Sequence, residues 1–174
     1  MHPSIDTMET LTPSQLAWRR ALNDPSLRDL PYRIETNEYG QLVMSPVKRS
    51  HSMRAGTIMG LLHDLISEPG VLPVDLAIDT PKGVKVPDVV WMSEGRANQQ
   101  LIDADAVSTA PEICVEVLSA SNTRAEIDEK RSLYFACGAE EVWTCDVDGR
   151  MHFFDEAGEM PSSRRVPSFP EKVD

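Results

Sequence analysis

The chain has 174 residues, 41% hydrophobic and 26% charged, a composition that fits a folded globular protein rather than a disordered one and a length that can bury a core as one domain. No apolar run approaches the roughly 20 residues of a membrane helix, and the start MHPSIDTMET lacks the basic-then-apolar order of a secretory signal. The net charge of −11 weighs against a stand-alone DNA-binding module, because counterion release from phosphates favours a basic surface.

No basic run is longer than a pair such as Lys48-Arg49 or Arg164-Arg165, so any nucleic-acid contact is expected to be local, metal-assisted or weak unless a partner supplies the grip. Cys114, Cys137 and Cys145 are odd in number and lack C-x-x-C spacing, which reads as reduced thiols in a cytoplasmic protein.

In chain order, residues 1–11 read as an irregular leader. Thr12-Pro13-Ser14-Gln15 opens a helix, with Thr as N-cap, Pro in the first turn and Gln three residues after the cap; it is expected to end near Asp24-Pro25. Strands at 32–36 and 41–45 flank the turn Asn37-Glu38-Tyr39-Gly40. From 49 to 67 the pattern is helical, with Ile58, Leu61, Leu62, Leu65 and Ile66 in one stripe and Pro69-Gly70 as the stop. Strands are expected at 71–78, 85–92 and 113–118, with a polar stretch at 93–110 that has room for a short helix. Thr123-Arg124-Ala125-Glu126 is a second capping box, opening a helix that runs to Gly138. Strands at 141–147 and 151–155 follow, joined by an Asp148-Gly149 turn, and 158–174 reads as irregular. This order predicts an α/β fold, a mixed sheet with helices on both faces.

Two carboxylates stand out in that frame. Asp88 lies within Val84-Lys85-Val86-Pro87-Asp88-Val89-Val90-Trp91 and Glu116 within Ile113-Cys114-Val115-Glu116-Val117-Leu118. An acid in a buried strand is costly unless a cation or hydrogen bonds compensate it. By alternation Asp88 shares a face with Val84, Val86 and Val90, and Glu116 with Glu112, Cys114 and Leu118. If the two strands pair, both acids face one cleft, where a divalent cation such as Mg²⁺ removes their repulsion. Pro87 removes a ladder donor and suggests a bulge that re-aims Asp88. On the helix after Thr123, about 100° per residue places Ile127, Lys130, Leu133, Tyr134 and Cys137 in one arc. Lys130 therefore points toward the sheet, where the carboxylate pair is its expected partner.

The segments VKVPDVVWMS, PEICVEVLSASNT and DEKRSLYFACGAEEVWTCD resemble the Uma-type restriction endonucleases of the PD-(D/E)XK nuclease superfamily. The segment YRIETNEYGQLVMSP and the helix containing His51 fit the same family, and the resemblance covers about residues 30–148. It implies a restriction-endonuclease-like core, about residues 30–155 of a single domain 1–174, with a mixed sheet flanked by helices and an N-terminal helix and hairpin. It implies Asp88 and Glu116 as ligands of Mg²⁺ or Mn²⁺, with the backbone carbonyl of Val117 as a further ligand. Leu118 stands where the superfamily's lysine usually is, and Lys130 matches the position to which Uma-type proteins displace it. Glu35 matches a recurrent N-terminal acid able to approach the metal, and His51 a family position without an assigned role. DNA is the implied substrate and a homodimer the implied assembly.

The bland readings are a structural salt-bridge network for Asp88 and Glu116, a snorkelling lysine for Lys130, a surface acid for Glu35 and a capping or packing residue for His51. Trp91, Trp143 and Tyr134 read as core aromatics, and Ser119 and Ser121, without a G-x-S-x-G elbow, as turn formers. Three functions remain: a divalent-metal-dependent endonuclease, a non-catalytic regulatory or interaction module on the same fold, and a metal-dependent hydrolase of a non-nucleic substrate.

Overall fold

The structure is a computed structural model that describes residues 10–101 and 105–174; residues 1–9 of the leader expected at 1–11, and residues 102–104, lie outside the described residues. Among the described residues are four α-helices: α1 (Pro13–Asn23), α2 (Arg49–Leu65), α3 (Glu94–Gln100) and α4 (Arg124–Ala136). The strands are β1 (Tyr32–Thr36), β2 (Leu42–Pro46), β3 (Gly70–Val71), β4 (Ile78–Thr80), β5 (Gly83–Lys85), β6 (Val89–Ser93), β7 (Ile113–Val117), β8 (Glu141–Cys145), β9 (Met151–Asp155) and β10 (Gly158–Met160). No helix among them is long and apolar enough to cross a membrane.

The central sheet has the order β10-β9-β8-β7-β6-β3. Strands β7 and β8 run parallel, joined through α4, and the other pairs are antiparallel, so the sheet is mixed as expected. Two separate hairpins, β1-β2 and β4-β5, stand beside it. Strand alternation divides the core. On one side Ile58 and Leu62 of α2 pack with Val89, Trp91, Val115 and Trp143. On the other, Tyr134 of α4 packs with Val90, Cys114 and Val142.

Both predicted capping boxes form. Thr12 and Thr123 accept hydrogen bonds from the backbone N–H of Gln15 and Glu126, whose side chains bond back to the cap N–H groups. Each box satisfies two amide groups that the first helical turn leaves unpaired, which fixes where α1 and α4 begin.

Three expectations need correction. The strand expected at 71–78 is paired only at its ends, as β3 and β4. The strand expected at 85–92 is interrupted at Val86-Pro87-Asp88, where proline has no N–H for a ladder. Val84 and Val86 consequently pack in a small cluster with Ala77 and Trp18, not with Val90. The tail expected to be irregular at 158–174 begins with β10, paired to β9, and then buries Val166, Phe169 and Val173 in the α2-side core. Glu141 anchors that tail by accepting hydrogen bonds from Ser163 Oγ, Arg164 N and Arg165 N at 2.7–3.0 Å.

The N-terminal elements are clamped to one another by small polar contacts. Thr36 Oγ1 of β1 accepts the Val84 N–H of β5 at 2.8 Å and also bonds Ser14 Oγ of α1. Gly83 makes this approach possible: it sits at φ +104°, and a Cβ there would run into the Thr36 carbonyl. Gly83→Ala is expected to destabilise the protein by more than about 1 kcal/mol, because it adds left-handed strain and parts β5 from β1. Urea unfolding measures the loss.

Candidate active site

The register of β6 on β7 sets the site. Val89 lies opposite Val115 and Val90 opposite Cys114, so the next step along both strands brings Asp88 and Glu116 to the same end of the sheet. Glu116 is 6% exposed and the Asp88 side chain 3%, which makes their compensation the decisive question. The structure compensates them from opposite layers.

Glu116 is reached from α4. Ile127, Lys130 and Tyr134 share the inward stripe of that helix, as the arc predicts, with Ile127 and Tyr134 buried. Lys130 Nζ donates to Glu116 Oε1 at 3.2 Å, and the Tyr134 hydroxyl donates to the same oxygen. Lys130 also donates to Glu35 Oε1 at 2.8 Å, which in turn accepts the Val86 N–H at 2.9 Å. Glu35 is thus a buried member of the site, not a surface acid. Arg131, next to Lys130, turns away to lie over the Phe154 ring at 4.1 Å.

Asp88 is held differently. Its Oδ1 pairs with Arg33 Nη1 of β1; its Oδ2 accepts the Val117 N–H at 2.6 Å and meets His51 Nε2 of α2 at 3.2 Å. Of the carboxylate pair expected to partner Lys130, Glu116 is the acid its ammonium bonds, together with Glu35, while Asp88 takes its cations from β1 and α2. Arg33 and the Tyr134 hydroxyl were not foreseen. Arg33 had a signal, since it shares a strand face with Glu35 two residues on. Tyr134 lay in the predicted inward arc but reads as core, and it is both.

The charges respond to this geometry. Burial pushes Glu116 up; Lys130 opposes, but Asp88 and Glu35 add to the rise, and the carboxyl reaches about 7. Burial would also raise Asp88, yet the His51 hydrogen bond, the Arg33 charge and the Val117 N–H outweigh it and hold Asp88 below the ordinary carboxylate range. His51 is raised chiefly by its hydrogen bond to Asp88. Lys130 is penalised by burial but kept protonated beyond the usual lysine range by Glu116 and Glu35.

These side chains line a cleft of about 190 Å³, whose rim includes Lys48, Ser119, Ser121 and Asn122. Ser119 and Ser121 bond each other at 2.8 Å, and Ser119 N donates to Asn122 Oδ1 at 2.8 Å, so they shape the turn before α4. Among the described residues no three His, Cys, Asp or Glu side chains converge to enclose a metal ion. The donor chemistry suits an open site instead: Asp88, Glu116 and the Val117 carbonyl are hard oxygen donors, and Mg²⁺ commonly takes one or two carboxylates and keeps its waters. The raised Glu116 carboxyl is the group that a divalent charge would return to its ionised form.

The mixed sheet with α2 and α4 on its two faces, and an acid-lysine cleft at one strand end, define a restriction-endonuclease-like fold. The chain belongs to the Uma2 family, described as "Putative restriction endonuclease", whose model matches residues 25–166. The fold is similar to the crystal structure of a "putative nuclease" from Anabaena variabilis, with a TM-score of 0.70 and 14% identity over 94% of this chain and 95% of that one. No curated protein matches the chain.

Because the folded Glu116 carboxyl titrates near 7 and the unfolded one near 4.5, the folded state binds the extra proton between those values. This group is therefore expected to subtract stability as pH rises from about 4.5 to about 7 in metal-free protein. Glu116→Gln should lose that portion of the pH dependence. Urea midpoints of both forms across pH 4–8 measure it, and parallel profiles would refute the assignment.

Proposed function

We propose that this protein is a divalent-metal-dependent endonuclease that hydrolyses DNA phosphodiester bonds at the cleft between Asp88, Glu116 and Lys130. The observation that carries the reading is Lys130, a lysine on α4 whose ammonium hydrogen-bonds Glu116, the acid one residue before the end of β7. Family membership and the shared fold point the same way.

Asp88, Glu116 and the Val117 carbonyl would hold Mg²⁺ or Mn²⁺, which supplies the charge that polarises a phosphate and acidifies water. Lys130 orients the attacking water and offsets charge that develops on the phosphate oxygens. Glu35 fixes the Lys130 ammonium from the far side, so the donor is aimed before substrate arrives. Tyr134 holds Glu116 Oε1 in place from within the core.

The cleft also has local features that suit a phosphate despite the net charge of −11. Lys48, which precedes the first turn of α2, lines it, and α2 has no side-chain cap on its N-terminal amides. A 17-residue helix directs partial positive charge there. The contact is local, which fits weak binding to DNA outside the cut site. A homodimer acting in the cytoplasm would present two such clefts to the two strands of a duplex.

Plasmid nicking in Mg²⁺ or Mn²⁺ tests the reading. Asp88→Ala, Glu116→Ala and Lys130→Ala are each expected to lower the rate by about 100-fold or more, because each removes a ligand or a charge that acts in the transition state. Equal cleavage by wild type and all three variants would sink the assignment, and inactivity of the wild type with tight association to another protein would favour the interaction module.

A further inference from the structure

The cleft in this structure is almost charge-balanced by its own side chains. Three carboxylates, Glu35, Asp88 and Glu116, face two permanent cations, Arg33 and Lys130, with His51 as a third basic group. A divalent ion added to that set brings two further positive charges against Arg33, which already occupies Asp88 Oδ1. The ion and Arg33 therefore compete for Asp88, while His51 on Oδ2 can yield by losing its proton. Lys130 is tied to two carboxylates, whereas Arg33 has only Asp88 and the Val86 carbonyl, the latter at 3.2 Å.

Arg33 also has somewhere to go. Together with His51 and Asp88 it lines a second cavity, a groove of about 620 Å³ on the α1 and α2 side, bounded by Trp18, Leu22 and Met59. Asp75 lies in that groove, exposed, and its charge already acts on the Arg33 guanidinium. The Arg33 side chain is 21% exposed and borders the open space of this groove.

We propose that Arg33 is a displaceable counter-cation: it holds Asp88 in the metal-free protein, leaves it when a divalent ion loads, and turns to Asp75 in the neighbouring groove. Arg33 is thus a positioning residue that sets metal affinity by competition. The inference rests on the metal-site reading above, but makes the opposite prediction from a merely structural arginine. Removing a structural salt bridge would loosen Asp88 and weaken metal binding. Removing a competitor strengthens it.

Mn²⁺ titration calorimetry at one fixed pH distinguishes the two. Arg33→Gln is expected to bind Mn²⁺ about tenfold more tightly than the wild type, since a unit charge beside the ligand is gone. Asp75→Asn is expected to bind about threefold more weakly, because Arg33 loses its alternative partner. Asp75 is exposed and sits at φ +54°, a conformation asparagine tolerates, so this variant keeps the fold even if Arg33→Gln does not. Unchanged or weaker binding by folded Arg33→Gln, or unchanged or tighter binding by Asp75→Asn, overturns the proposal. If the wild type binds Mn²⁺ and nicks DNA while both variants match its affinity, this inference alone falls. If neither wild type nor Arg33→Gln binds Mn²⁺, the metal-site reading falls with it.

Discussion

The constraint on which the structure depends is the placement of two carboxylates at the end of one buried strand pair. The β6-β7 register brings Asp88 and Glu116 to the same edge, and neither can remain ionised there without help. Much of the surrounding architecture supplies that help. Helix α4 delivers Lys130 and Tyr134 to Glu116 from one face, while α2 delivers His51 and β1 delivers Arg33 to Asp88. Each acid is thereby controlled by a different layer. That division explains why two neighbouring carboxyls are driven in opposite directions, Asp88 down and Glu116 up to about 7.

The N-terminal elements take on a purpose in this light. The Ser14-Thr36-Val84 contacts tie α1, β1 and β5 into a unit outside the central sheet. Its product is a fixed position for the inner face of β1, which carries Arg33 and Glu35 toward the sheet end. Glu35 bonds both the Val86 N–H and Lys130, so it joins the strand break before Asp88 to the helix that serves Glu116. The interruption at Pro87 belongs to the same arrangement. With no donor at residue 87, the chain leaves the ladder, and the carboxylate of the next residue turns to the Val117 N–H and to cations on either side.

What the sequence disclosed and what it hid follow the range of the interactions. The capping boxes at Thr12 and Thr123 involve residues three apart, and both are legible from spacing alone. The inward aim of Lys130 is legible for the same reason, since helical rotation fixes direction locally. The partner of Lys130 was only half legible: Glu116 could be anticipated, but Glu35 is 95 residues away and its burial depends on how two hairpins dock. Arg33, 55 residues from Asp88, was hidden behind an ordinary strand pattern. Its face-sharing with Glu35 was the available clue. Past β10 the tail has no helix or strand, as its Ser and Pro suggest, but its order was hidden: Glu141, an acid inside β8, organises it by accepting its backbone and hydroxyl donors.

A lysine on a helix instead of the strand changes the physical character of the site. A lysine two residues after Glu116 would be fixed by strand alternation on the same face as that acid. Leu118 occupies that place, so the ammonium comes instead from α4, whose position depends on the Thr123 cap and on Ile127 and Tyr134 packing. The reach is achieved by a long, flexible side chain, and Glu35 is the group that removes its freedom by bonding the ammonium opposite Glu116. Glu35 thus enters the site as a third buried acid that holds the ammonium from the side opposite Glu116. That third acid in turn raises Glu116 further, which leaves the site short of positive charge at Glu116 while Asp88 beside it is well supplied by Arg33 and His51. An uneven pair of this kind leaves one carboxyl, Glu116, that additional positive charge nearby would return to its ionised form.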